Sequence, residues 1–463
     1  MNTQPTNYRS LSLWHDTLPE DDTLEPRPPL PGDADVDVAI VGAGFTGLWT
    51  AHYLIAAEPT LRIAVLERDI AGFGASGRNG GWASALLPMS LDTIAAGHGR
   101  DAAVRMQRAM NASVDEVGRA SAELGIDAHY AKGGEIEFVR NGAQVQRARK
   151  VVDDQIRYGF DDVRWLERGE AALHGVSSRM IGAVYNPNCA AIHPARLVRG
   201  LAASVERRGV RVYEQTAVSS IEPDRVVTDR GVVRARVVVR ATEGFTPSLI
   251  GHRRTLAPIY SLMIATEPLA EAVWAEIGLA DRATFADARH SVIYGQRTAD
   301  GRFAFGGRGA PYHYASRIRP EFDRDSIVHA TLRETLRDLF PQIGDVDITH
   351  RWGGALGMPR DWQCGVGYDR TTGLAFAGGY VGDGVTTTNL AGRTLADLIL
   401  DRPSEITTLP WVGHRSKRWE PEPLRWIAIR GLLKLPASMD AHEQRTGRPE
   451  RPRNWLLGKA LGH

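Results

Sequence analysis

A chain of 463 residues with Lys+Arg 56 against Asp+Glu 55 carries a formal net charge of +1, so no global field recruits nucleic acid or an anionic membrane. Its length suits two or three domains, or one large interleaved enzyme, with ample material for a core. Cys189 and Cys364 lie far apart without C-x-x-C or zinc spacing, which excludes a disulfide framework and a cysteine metal cluster, and no metal site is expected. The start MNTQPTNYRSLSLW lacks a basic stretch followed by an apolar one, and no later run is long enough to span a bilayer. A soluble, cytoplasmic protein is therefore expected.

Within an N-terminal arm, 1–35, residues 8–31 are rich in proline and acid and end in PRPPLPG. Such a segment is expected to be irregular and to lie across a domain surface. The run VDVAIVGAGFTGLWT at 36–50 then reads as a buried strand, a G-x-G-x-x-G turn and a helix. Gly42 makes the tight turn, Gly44 lets the backbone approach a pyrophosphate, and Gly47 lets the helix pack closely on the strand. The diphosphate would face free N–H groups at the positive end of a helix. A second strand at 62–67, RIAVLE, ends in Glu67, about 20 residues past the last glycine, where an acid binds an adenosine ribose. A second glycine-rich loop follows at once, Gly72-Phe-Gly-Ala-Ser-Gly-Arg-Asn-Gly-Gly81, in which Ser76, Arg78 and Asn79 offer donors beside approachable backbone.

Further along, 91–124 has helical composition, 135–140 reads as a strand, and 143–158 as a helix. His193-Pro194-Ala195-Arg196 opens a helix running to 208, with Pro194 suited to its first turn. Strands at 210–214, 225–228 and 232–240 would extend the nucleotide-binding sheet. Strands at 258–266, 291–297 and 302–306, then a helix at 324–340, point to a separate sheet of a substrate domain. Near the end, GLAFAGGYVGDG at 373–384 is a strand and a third glycine loop, and 385–400 is a helix aimed through it. A helix N-terminus of this kind stabilises negative charge by ~0.3–1 kcal/mol. That suits the anionic pyrimidine end of a reduced flavin better than a nicotinamide ring.

Three loops in this order, carried by VDVAIVGAGFTGLWTAHYL, ERDIAGFGASGRNGG, HPARL, FGGRGAPY and TGLAFAGGYVGDGVTTTNLAGRTLADL, resemble the D-amino-acid-oxidase-type family of FAD-dependent oxidoreductases over about 35–402. The GASGRNGG form of the second loop is similar to the γ-glutamylputrescine-oxidase-like branch. The resemblance implies an α/β (α+β), two-domain fold: a discontinuous Rossmann-like FAD-binding domain interleaved with an antiparallel-sheet substrate domain. The expected division is FAD-binding segments at 36–92, 190–252 and 350–402. A mixed segment at 93–189 belongs largely to the substrate domain, which continues at 253–349, and an extension covers 403–463.

By the resemblance, FAD contacts are Gly42, Gly44, Phe45, Thr46 and Gly47; Glu67 and Arg68; and Gly74, Ala75, Ser76, Arg78, Asn79, Gly80 and Gly81. Val218, Ala241 and Thr242 line the adenosine side, and Gly379, Tyr380, Gly382, Gly384, Val385 and Thr386 the pyrimidine edge. Thr242-Glu243-Gly244 departs from the asparagine that relatives often carry there, leaving Glu243 without an assigned role.

Relatives oxidise the carbon bearing an amine to an imine, with oxygen, a quinone or a carrier as acceptor; an oxidase is the first expectation, and a dehydrogenase or non-catalytic flavoprotein the alternatives. Candidate substrate contacts are Tyr260, Met263, Tyr294, Arg308 and Trp352. Ordinary core packing is an equal reading for Met263 and the tyrosines, and a structural ion pair for Arg308. The arginine and lysine that clamp a substrate carboxylate in sarcosine-oxidase-like members fall at Ala85 and Thr386, which favours an amine without an α-carboxylate. The lysine that helps oxygen react falls at Ala304. Covalent flavin attachment would need Cys or His where Trp352 and Arg78 stand, so FAD is expected to be non-covalent. The basic stretch PEPLRWIAIRGLLKL in the tail could meet a membrane or partner helix, but packing on its own body is the expectation.

Overall fold

The computed structural model describes residues 7–309 and 311–450, with the side chain of Arg308 outside the description. Valine-rich strands form the middle of one 8-stranded sheet: Ala34–Val41 and Val232–Arg240 alternate with charged residues where they enter and become continuously apolar and buried over 38–41 and 237–239, because a strand covered on both faces must be apolar on both. Ala34–Val41 pairs in parallel with Ile63–Leu66 on one side and Val232–Arg240 on the other. Arg211–Tyr213 and Leu374–Gly378 extend it, and Gly365–Asp369 closes one edge antiparallel. The helices Phe45–Ala57 and Gly384–Ile399 pack together on this sheet. Their approach requires Gly392, where a Cβ would lie 2.7 Å from the Cβ of Trp49.

The second 8-stranded sheet runs, edge to edge, through Ile348–Met358, Ala257–Thr266, Phe303–Arg308, Ile293–Arg297, Thr284–Asp287, Glu135–Val139, Gly182–Asn186 and Arg164–Glu167. All its pairings are antiparallel except that of Thr284–Asp287 with Glu135–Val139. Ile348–Met358 lies mostly within the segment expected at 350–402 to bind the cofactor, yet pairs with Ala257–Thr266 in this other sheet. Its glycines hide it from periodicity: they are there for packing, Gly353 lying against Leu262. The mixed segment 93–189 is also divided. Its strands join the second sheet, while Met106, Met110, Val114 and Val117 of the helix Arg100–Glu123 enter the first core. That helix is separate from Leu91–His98, because Gly99 turns the chain at φ +88°.

The N-terminal arm corrects the sequence reading. Its first part is neither irregular nor superficial: Ser12 caps a one-turn helix, Leu13–Asp16, whose Leu13, Trp14 and His15 are buried, whereas 19–29 are without regular structure and mostly exposed. Trp14 Nε1 donates to Asn79 O at 2.8 Å, and its ring meets Trp352 edge-on. Further on, Arg27 N and Leu30 N donate to Glu214 Oε2 and Thr216 Oγ1, so side chains satisfy a proline-rich backbone that could not pair as a strand. At the other end, Leu424–Leu432 and Leu435–Thr446 dock on the body. Asp440 accepts from His290 N at 2.7 Å and Ser291 N at 2.9 Å. Among the described residues no helix is long and apolar enough to cross a membrane.

Candidate functional site

The C-terminal ends of the first sheet open into a cleft of about 1160 Å³ into which the three glycine loops converge. In open α/β sheets ligands bind at that end. A Cβ on Gly44 would stand 2.8 Å from Ser76 Oγ, which itself accepts from Phe45 N at 2.8 Å. The first and second loops therefore meet directly across the helix N-terminus. Thr46 Oγ1 and Tyr380 OH, 2.9 Å apart, tie the first loop to the third. Glu67 accepts from Ala43 N at 2.9 Å and Asp69 N at 3.0 Å, and burial nevertheless pushes its carboxyl up to about 7. Thr386 Oγ1 is buried without a hydrogen-bond partner at the start of the third-loop helix.

Most expected cofactor contacts line this cleft. Gly42, Gly44, Phe45 and Thr46 come from the first loop, and Glu67 and Arg68 from the end of the second strand. Gly74, Ala75, Ser76 and Asn79 come from the second loop; Val218, Ala241 and Thr242 from the far side; Tyr380, Gly382, Gly384 and Val385 from the third. Gly47 stands behind, against Gly42 O. Arg78 and Gly80 face an adjoining chamber, while Gly81, Gly379 and Thr386 line neither space.

Two features were not anticipated. Arg68 lies over Phe245 at 4.8 Å and Phe73 at 5.8 Å, two rings tilted at 44° to each other. Glu243 accepts from Gly379 N at 2.9 Å and Tyr380 N at 3.3 Å, and burial raises it to about 7. Its departure from the family pattern was the visible signal; its work is to hold the third loop in place.

The adjoining chamber, also about 1160 Å³, shares Ala75, Asn79, Leu356, Gly382 and Val385 with the cleft, so the two spaces meet. Tyr294 lines it, with its hydroxyl 2.7 Å from Ser261 Oγ. The other described candidates do not. Tyr260, Met263 and Trp352 are each 1% exposed and belong to core clusters. Tyr260 OH accepts from Arg319 N, and Trp352 Nε1 donates to Arg78 O. The reason is geometric: positions 260 and 263 lie on opposite faces of one strand and cannot both meet the same space. Arg308 lies in a strand, but its side chain is outside the described residues. The chamber's guanidiniums are committed, Arg78 to Asp323 at 2.8 Å and Arg289 to Asp287 at 2.6 Å.

The model of the DAO family, FAD dependent oxidoreductase, matches residues 37–398. The chain belongs to this family. It is 30% identical over 395 residues to "Gamma-glutamylputrescine oxidoreductase" of Escherichia coli (strain K12), covering 82% of this chain and 89% of that protein. The fold is shared with glycine oxidase from Geobacillus kaustophilus, with a TM-score of 0.68 at 21% identity, over 83% of this chain and all of that one (100%). L-proline dehydrogenase from P. horikoshii has a TM-score of 0.66 at 19% identity, covering 81% of this chain and 96% of that one. As a DAO-family protein the chain is an FAD-dependent oxidoreductase, with both oxidases and dehydrogenases among its relatives. The cleft fits that cofactor: the N-terminus of the helix Phe45–Ala57 and the Glu67 carboxylate at the end of the second strand are a donor set and an acceptor of the kind a dinucleotide needs.

Proposed function

We propose that this enzyme oxidises the carbon–nitrogen bond of a small amine that lacks an α-carboxylate. FAD, when bound, accepts the hydride equivalent and leaves an imine that water hydrolyses. The chain's residues bind and orient. The glycine loops admit the dinucleotide, with Gly42 and Gly44 at the pyrophosphate and Glu67 accepting from ribose hydroxyls. Ser76, Tyr380 and Val385 fix the loops around the ring. The observation that carries the reading is the junction of the two spaces: a substrate in the chamber reaches the cleft only past Ala75, Asn79, Leu356, Gly382 and Val385. The commitment of Arg78 and Arg289 to carboxylates supports a substrate without one of its own.

Oxygen is the proposed acceptor, giving hydrogen peroxide. Transfer to a quinone or carrier is the second reading, favoured by buried Ala304, which has no cation to offer at the position of the oxygen-activating lysine.

Anaerobic mixing with a panel of amines and amino acids should bleach the bound flavin with the right amine, and air should restore it with release of peroxide. The rate should rise with pH and level off, because only a neutral amine releases hydride, and the limb should follow the substrate's own pKa. If two substrates of different pKa share one limb, a protein base is at work. If no amine bleaches the flavin, the reading falls.

A further inference from the structure

The strand Glu135–Val139 reads Glu-Ile-Glu-Phe-Val, and its alternation separates two chemistries. Ile136 and Phe138 are buried in the core of the second sheet, while Glu135 and Glu137 face the chamber together on the opposite side. Glu135 Oε2 is wholly buried and has no hydrogen-bond partner, and neither carboxylate forms an ion pair among the described residues. The nearby cations are engaged elsewhere: Arg289 and Arg140 lie on Asp287, and Arg147 pairs with Glu443. Burial, reinforced by Glu137 and Asp383, pushes Glu135 up to about 8; burial and Asp287 push Glu137 to about 7. Two unpaired acids in one cavity wall are costly to the fold. A conflict of that kind between local chemistry and burial is found mostly at functional sites.

We propose that Glu135 and Glu137 bind a second cationic group of the substrate, so that the enzyme acts on one end of a diamine or polyamine while the far ammonium sits on this pair. The inference rests on the amine-oxidising reading above and names its substrate class. An ammonium has three donors and no acceptor, which matches two carboxylates whose oxygens have none to accept from. Between the two ends the wall is apolar, through Leu86, Ala286, Val292 and Ile293. From the strand carrying Tyr294 to the strand carrying the acids is two strand spacings, about 10 Å in all. That leaves room for a flexible alkyl chain of several carbons.

The test uses the FAD-loaded protein with Glu135→Gln, Glu137→Gln and the double variant, each checked for its bound-flavin spectrum. Cadaverine is compared with n-hexylamine, in which a methyl replaces the far amine, by anaerobic flavin reduction. In parallel, binding of the redox-inert dication hexamethonium is compared with that of hexyltrimethylammonium by perturbation of the flavin spectrum. The wild type should prefer cadaverine over n-hexylamine by about 10- to 100-fold, and hexamethonium, which brings charge without N–H donors, over its monocation by a smaller factor. The double variant should lose that preference while keeping its response to the monocation. Equal binding of dication and monocation by the wild type, or a preference that survives both substitutions, overturns the proposal. Acid-dependent hexamethonium binding with no reduction by any amine would instead sink amine oxidation and leave the cation site standing. Reduction by both amines without discrimination would do the reverse.

Discussion

Glu67 concentrates opposing forces in one side chain. Burial raises its carboxyl to about 7, while N–H donation from Asp69 and Ala43 pulls it down. Between its ordinary value of 4.5 and about 7, the folded apo-protein holds a proton that the unfolded chain releases. The stability this contributes is complete below the ordinary value and is lost as pH rises through about 7. The ionised carboxylate accepts from hydroxyls more strongly than the protonated one, so on the ribose reading FAD affinity should climb through the same window. Glu67→Gln should flatten that climb and weaken FAD binding by about 1.5–3 kcal/mol, because bonds to a charged group are being replaced. Fluorescence titration of apo-protein across pH measures both, and a variant that binds FAD as tightly as wild type would remove Glu67 from the site. This residue was legible from spacing alone. Glu135 and Glu137 were not, since alternation in a strand separates two faces without saying what covers either.

Among the elements, the C-terminal helix Leu435–Thr446 is held by Asp440 and by a buried carboxylate, Glu443. Glu443 pairs with Arg147 at 3.0 Å and with His290 at 2.9 Å. Burial alone would raise its pKa, but these partners outweigh burial and hold it below the ordinary value. The stability it contributes is present above that ordinary value and lost as pH falls through the lowered one. Glu443→Ala should destabilise the docked helix by about 2–3 kcal/mol, toward the lower end for a broken pair because Arg147 keeps some solvent. Proteolysis of 424–446 should quicken in the variant at neutral pH, and in wild type only on acidification. Equal protection of the two proteins would show that the apolar contacts of Met439 and Ile429 suffice. The N-terminal arm is the opposite case. Its composition pointed to the surface, but Trp14 bonds to Asn79 and His15 packs against Gly77 of the second glycine loop, contacts that no local pattern announces.

At the scale of the molecule, the cofactor cleft exists only where the three glycine loops meet segments around 66–68, 216–218, 241–249 and 355–356. None of the thiols is placed to tether a flavin. Cys364 is buried and its thiol pushed up to about 12 by burial, and burial raises Cys189 as well. Trp352 and Arg78, at the positions where relatives attach the ring, cannot form the bond. Hold on FAD should therefore vanish with the fold: acid precipitation should leave a yellow supernatant and a colourless pellet. A yellow pellet, or a denatured mass raised by one FAD, would contradict this and point first to Cys364.

The sequence by itself determined what depends on neighbours along the chain. The strand–glycine–helix unit at 34–57, the second strand that ends just before Glu67 and the glycine loops at 72–81 and 379–384 follow from local sterics and hydrogen bonding, and each stands in the structure. Only tertiary structure decided which face meets which space. Tyr260 and Met263 read equally as pocket or as core and are core, whereas Ser261, between them, lines the chamber. The glycine-rich strand Ile348–Met358 carries no period because its small residues answer to Leu262 and Leu256 across the packing, not to their neighbours in sequence. Burial and cavity lining are sums over distant segments, and the acids of Glu135–Val139 acquire their meaning only when Tyr294, Val385 and Arg289 close the space in front of them.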